Sequence, residues 1–234
     1  MNQPVRKERI LTMKKYMFII LAVSLLLSGC AQSPAASAEN SSGTTNAAVT
    51  ESAVTVYPLP DTTMDSLENA TFAISLEEGD AYVDDTGIMR MDVTVYSYDK
   101  YDLVDIAGLK AGDIIVTHDG EVAVSSVERN GSGTVLINGG LDNGGFDLFS
   151  DDCGVYYEVG YSDVKNWYEA GAVTLRVSAD LQFTDKMDLD KGEQIYYAGS
   201  FLVGEVKDYH FTPQNTIVRT ENGQIVSMER IYTP

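Results

Sequence analysis

The chain is poor in the residue types that most often carry chemistry. It holds two cysteines, two histidines and one tryptophan in 234 residues. Two cysteines cannot build a disulfide framework. His118 and His210 stand alone, without Cys or His at zinc-type spacing, and no Gly-x-Ser-x-Gly elbow marks a serine hydrolase. Positive charge is scarce as well: 16 Lys and Arg against 35 Asp and Glu leave a formal charge of −19. Phosphate backbones need Lys/Arg-rich surfaces, so nucleic acid is excluded as a partner. Helical periodicity is missing too, apart from "DVKNWYEAG" at 163–171, which has room for one or two turns.

Long apolar runs are equally rare. The longest, "MFIILAVSLLL" at 17–27, falls short of the roughly 20 residues that a spanning helix needs. It follows Arg6, Lys7, Arg9, Lys14 and Lys15 and ends in Leu27-Ser28-Gly29-Cys30. A basic region, a short apolar core and a small-residue end, in that order, mark an export signal. The ending resembles the lipobox of bacterial lipoprotein precursors. The resemblance implies that residues 1–29 are removed by signal peptidase II and that Cys30 carries a diacylglyceryl thioether. The protein is then expected on the extracytoplasmic side of a membrane, held by lipid. This resemblance covers the first thirty residues only, and Met13 begins a complete signal of its own.

The first 29 residues carry five of the 16 basic and one of the 35 acidic residues. Without them 11 basic and 34 acidic side chains remain, a formal charge of −23. Such a chain gains nothing from anionic lipid, so its membrane partner is reached through the acyl chains on Cys30. Cys153 is then left without a disulfide partner. Beside Asp151 and Asp152 it reads as a buried, inert thiol.

Residues 30–56 are Ala-, Ser- and Thr-rich with almost nothing large and apolar, the composition of a disordered tether. Residues 57–234 are expected to form the folded extracytoplasmic domain, with a subdivision near 145–165. Strand signals dominate there. "IMRMDVTVYSY" at 88–98 sets Met89, Met91, Val93 and Val95 against Arg90, Asp92 and Thr94, and "VTLRVSADLQF" at 173–183 alternates in the same way. Asn222-Gly223 between two β-prone runs predicts a tight hairpin. The expected fold is all-β, a barrel or sandwich in two small barrel-like halves.

A short pattern supports a weak internal repeat. Leu-x-x-Gly-acidic occurs at Leu76–Asp80, Leu109–Asp113 and Leu189–Glu193. In each copy a buried Leu, a glycine at positive φ and a water-facing acid are expected to open a new strand. The second copy, "GLKAGDIIV", also resembles the opening strand of PDZ domains. A PDZ groove further needs a carboxylate-binding glycine loop upstream and a helix downstream. Only Gly79 and Gly87 lie between 60 and 107, and Gly131 and Gly133 interrupt the following segment. The strand-entry turn is therefore the reading retained.

No catalytic residue stands out. Asp142 and Asp147, and Asp188 and Asp190, gather near glycines and make calcium the candidate cofactor, although neither group has the calcium-loop spacing. The alternative is solvated acidic turns. Aromatic density is highest from Tyr156 to Tyr168. Tyr161, Trp167 and Tyr168 are the candidate binding residues, since aromatic faces beside acids suit sugar rings or peptides. Adjacent Tyr156 and Tyr157 point to opposite faces of any strand, so at least one belongs to the core. The expected function is a lipid-anchored cell-surface lipoprotein whose non-catalytic β-domain binds a protein or glycan. The alternatives are a cell-envelope hydrolase working through carboxylates and a calcium-stabilised structural module.

Overall fold

The computed structural model describes residues 52–131 and 133–233. Cys30 and the signal segment lie outside the described residues. The strands are β1 (Thr55–Val56), β2 (Thr71–Ser75), β3 (Ala81–Val83), β4 (Met89–Tyr98) and β5 (Lys100–Tyr101). After helix α1 (Leu103–Gly108) come β6 (Ile114–Thr117), β7 (Gly120–Ala123), β8 (Val127–Arg129), β9 (Val135–Ile137), β10 (Phe146–Ser150) and β11 (Tyr156–Val159). The long β12 (Trp167–Lys186), β13 (Gln194–Tyr197), helix α2 (Ala198–Leu202), β14 (Thr216–Glu221) and β15 (Gln224–Ile231) complete the chain. The protein is all-β, and no helix among the described residues is long and apolar enough to cross a membrane.

Alternation builds the larger half. Along β4, Met91, Val93 and Val95 are buried while Asp92 is exposed. Along β12, Leu175, Val177, Leu181 and Phe183 are buried. Ala179, in step with them, is exposed because β12 bulges against β15 between Val177 and Gln182. That bend lets one strand serve two neighbours: its first half pairs antiparallel with β4, its second half parallel with β15. Asn222 and Gly223 both take positive φ, 51° and 70°, in the β14–β15 hairpin, as a type I′ turn requires.

The pairings β2–β4, β4–β12, β12–β15, β15–β14 and β14–β2 close a five-stranded ring. With β12 and β15 parallel, and α2 lying between β12 and β14 in the chain, this is the Greek-key arrangement of OB-type barrels. The edge strands β3 and β13 extend it. Phe183, Phe201 from α2 and Phe211 meet with ring centroids 5.4–6.4 Å apart and fill the core. Burying each such ring contributes about 2–3 kcal/mol. Against them lies Arg230, which is 2% exposed. Its guanidinium binds both oxygens of Asp185 at 3.1 and 2.6 Å and the carbonyl of Asp208, and it faces the Phe211 ring at 4.4 Å.

The smaller half is an insertion. Everything from Asp99 to Asn166 sits between β4 and β12. It forms one sheet in the order β5-β11-β10-β9-β8 and, joined by β1 from outside the insertion, a second, β1-β6-β7. Both contribute to a separate core that includes Val56, Tyr101, Ile115, Ile137 and Leu148. The described residues thus hold two separate cores, nested along the sequence rather than consecutive. The exit of the insertion falls near 166, at the edge of the expected subdivision, and its entry falls near 99. The fold also begins before residue 57: Thr55 and Val56 pair in parallel with Ile114 and Ile115, and Val56 is buried.

The strand-entry turn is real in two copies, one per half. Gly79 and Gly112 have φ of 100° and 96°. In each turn the Asp side chain accepts the N–H three residues back, Glu77 to Asp80 at 2.7 Å and Lys110 to Asp113 at 3.0 Å. Leu76 and Leu109 are buried as expected. Asp113 is not water-facing: it is buried, because its other oxygen accepts the Val54 N–H at 2.9 Å and so fastens β1. The third copy differs, since Leu189 is 70% exposed and Gly192 closes instead on the carbonyl of Asp188. Two further expectations change. Residues 163–171 form no helix, because Trp167 and its successors pair with β4; a single 3-10 turn precedes them at Tyr161–Asp163. Cys153 is exposed in a turn held by Asp151, not buried.

Candidate functional site

The two halves meet where β4 and β12 leave the barrel. Tyr98 lies opposite Trp167 and Ser97 opposite Tyr168. A period of two sends the first pair to the outer face of the barrel and the second pair to the other side. The sequence neighbours Trp167 and Tyr168 thus belong to different environments.

On the outer face lies a cleft of about 320 Å³. Tyr96, Tyr98 and Trp167 supply its aromatic surface, Thr62, Thr63 and Ser66 its hydroxyls, and Lys100 and Lys165 its charge. The rings are mutually braced. Tyr98 meets Trp167 edge-on at 5.0 Å and Tyr157 at 5.8 Å. The Lys165 ammonium sits 4.2 Å from the Tyr98 ring centre, 5.1 Å from that of Tyr157 and 5.6 Å from that of Trp167. Lys100 reaches the same Tyr98 ring at 4.8 Å. These are cation–π distances. Among the described residues neither lysine has a carboxylate within 4.0 Å.

Residues 57–66 strap across this junction and form one wall. The Leu59 N–H donates to the Lys100 carbonyl at 2.6 Å. Met64 packs over Gly171, where a Cβ would lie 3.1 Å from the methionine methyl. Asp61 accepts from the Thr63 N–H at 2.9 Å and the Ser97 hydroxyl at 3.0 Å. Burial pushes its carboxyl up, but these hydrogen bonds and the Lys100 charge outweigh burial and hold it below the usual carboxylate range.

Behind the cleft is a polar seam. The His118 ring stacks on Tyr168 at 4.8 Å and its Nδ1 lies 3.0 Å from Asp99. Glu158 accepts from the Asn166 amide at 2.9 Å. Its carboxyl is pushed above the usual range, first by burial and further by the nearby Asp99 and Asp119 charges. The Tyr168 phenol is raised by burial, with Asp61 and Asp99 adding to the shift. His118 does lie in a hairpin turn, between β6 and β7, but it is bound into this seam.

Of the aromatic candidates, Trp167 lines the cleft and Tyr168 backs it. Tyr161 is exposed on its own turn and lines none of the cleft. Tyr156 packs on the small core and Tyr157 on Tyr98. The carboxylate candidates stay apart from the cleft. Asp147 accepts the Leu141 N–H at 3.1 Å, and Asp142 lies on the same 3-10 turn. Asp188 pairs with Lys191 at 2.7 Å and accepts the N–H of Asp190 at 3.1 Å. Among the described residues no three His, Cys, Asp or Glu side chains come together as metal ligands.

Sequence reasoning did not single out Lys100, Lys165, Tyr98, Asp99 or Glu158 as functional residues. One signal for the lysines was present. Each stands two residues from an aromatic that begins or ends a strand, in a chain with only 11 basic residues after Cys30. The Asp99–His118 contact left no trace, because 19 residues and a strand turn separate its partners. The chain matches no protein-family model, and neither a curated protein nor a solved structure shows significant similarity to it.

Proposed function

We propose that this chain is an exported, lipid-anchored binding module of the cell surface, and that the cleft at the junction of barrel and insertion takes a glycan. One observation carries the reading: Trp167, Tyr98 and Tyr96 present aromatic surface beside five serine and threonine side chains in a concave site where barrel and insertion meet. Sugar rings stack on aromatic faces while their hydroxyls need hydrogen-bonding partners, and ligand sites favour such junctions. The cleft lining includes no carboxylate pair of the kind a glycoside hydrolase uses. The anchor rests on the lipobox at Cys30, and the acidic charge of the chain argues against nucleic acid as the ligand.

The test is retention of the detergent-solubilised full chain on a panel of immobilised cell-wall and plant glycans. The wild-type chain is expected to be retained by at least one of them, and Trp167→Ala to bind at least ten-fold more weakly. Retention by none, or equal retention of the variant, overturns the reading.

A further inference from the structure

The cleft carries a sign of charge opposite to the rest of the protein. A formal −19 is spread over the chain, yet the only charged side chains lining this cleft are Lys100 and Lys165. The other cations of the barrel are largely matched: Arg90 by Asp84, Lys186 by Glu229, Lys191 by Asp188, Arg219 by Glu221 and Arg230 by Asp185. Lys100 and Lys165 are held instead by the ring of Tyr98. A ring face orients an ammonium through its quadrupole but has no net charge to cancel it. Both charges therefore persist, against one ring, and repel each other. Asp61 lies near Lys100 but does not line the cleft, and its carboxylate already accepts from Thr63 and Ser97.

From this we infer that the ligand bears a negative charge: an acidic saccharide, whose sugar ring lies on Trp167 and whose carboxylate or phosphate is drawn to the Lys100 and Lys165 charges. The inference rests on the reading of this cleft as the glycan site and names the class of glycan. The two ammoniums lie 4.8 and 4.2 Å from the Tyr98 ring centre, so both positive charges are concentrated around one ring of the cleft. The negative surface beyond does not cancel the attraction, since interactions between exposed charges fade over about 8 Å at physiological ionic strength. Lys100 belongs to the insertion and Lys165 to the segment that returns from it. The insertion thus supplies the charge and the barrel supplies the rings.

The chain provides its own reporter, because Trp167 is its single tryptophan. Quenching of its fluorescence by iodide and by caesium, each normalised to free N-acetyltryptophanamide, reads the local potential in the full chain in neutral detergent. Iodide is expected to quench at least two-fold better than caesium at about physiological ionic strength, and the preference is expected to vanish in the double variant Lys100→Met, Lys165→Met. Caesium quenching as well as or better than iodide in the wild-type chain overturns the inference. That comparison uses no saccharide, so it fails independently of the glycan reading. Protection of Trp167 from acrylamide by glucuronate, glucose 6-phosphate and glucose then identifies the anion. Glucuronate or glucose 6-phosphate is expected to protect at a tenth of the glucose concentration or less, and whichever acts distinguishes carboxylate from phosphate. Equal effects of the three sugars, no effect included, overturn it.

Discussion

Asp99 Oδ2 accepts two hydrogen bonds from one residue, the His118 backbone N–H at 2.6 Å and its ring Nδ1–H at 3.0 Å. A carboxylate only accepts, so Nδ1 carries a hydrogen in this contact, while Nε2 lies 3.4 Å from Asp119 Oδ2. Asp99 is the first residue after β4, and His118 lies in the β6–β7 turn; the contact ties the entry of the insertion to its second sheet. The carboxylate is 5% exposed. Asp99→Ala should lower stability by about 2–3 kcal/mol, the range for a charged hydrogen-bonding group that leaves buried donors behind. Asp99→Asn, which keeps one acceptor, should cost less. Urea unfolding of both variants checks the order.

Glu158 sets a pH dependence whose sign is fixed by its surroundings. Burial raises its carboxyl above the ordinary value, against the Asn166 hydrogen bond and the attraction of His118. The folded chain then holds this proton more tightly than the unfolded chain. Stability falls as pH rises from the ordinary glutamate value, about 4.3, through the raised one. Gln keeps an acceptor for Asn166 and has no proton to lose. Glu158→Gln should match the wild-type chain near about pH 4 and exceed it near about pH 8. A variant less stable than wild type at the higher pH would contradict this.

Breaking the Arg230–Asp185 pair should be the most damaging single change at the barrel end. Arg230→Ala or Asp185→Ala strands a buried charge and should cost about 3–5 kcal/mol. The double variant Arg230→Met, Asp185→Leu should recover most of the loss, because two apolar side chains of similar volume leave no buried charge unpaired, only the backbone groups of Asp208 and Met187 that the pair had satisfied. Denaturant midpoints of the three variants test the non-additivity.

At the β14–β15 hairpin, Gly223 occupies φ of 70° with open space where a Cβ would stand. Only the backbone conformation opposes a side chain there. Gly223→Ala should therefore cost about 1 kcal/mol through strain alone, without disturbing the core. An intact near-UV spectrum with a lowered melting temperature is the expected result.

The anchor reading makes a separate prediction. Cys30→Ala should release the protein from membranes into the soluble fraction, since one diacylated cysteine is its proposed attachment. Retention of the variant in washed membranes would contradict the lipobox reading.

Local patterns were legible in the sequence because their physics is local. Alternation in β4, the bent alternation in β12 and the Asn222-Gly223 turn all depend on residues a few positions apart. Closure of the barrel does not. It depends on β12 bending to pair with both β4 and β15, and a bulge of that kind looks like an unbroken strand when only one chain segment is read. The nesting of one half inside the other hid the lobe boundary for the same reason. Trp167 and Tyr168 were singled out together by their aromatic density, but adjacency in a strand means opposite faces. Only the partner strand shows which face lines the cleft and which meets His118. Cys153 was expected inside on its local acidity, yet a turn closed by the Asp151 carboxylate holds it outside.

The position of β1 has a mechanical consequence. Any tension arriving from the N-terminal side of residue 52 enters the fold at Val54, whose N–H is held by Asp113 and whose carbonyl accepts from Ile114. It passes next into the short parallel pairing of Thr55 and Val56, and only then along the strap to the Leu59–Lys100 hydrogen bond beside the cleft. A load between the proposed N-terminal anchor and a ligand at Trp167 would enter through the small half, in shear along β1, and leave through β12, so the two-residue β1 clasp stands in series with the cleft.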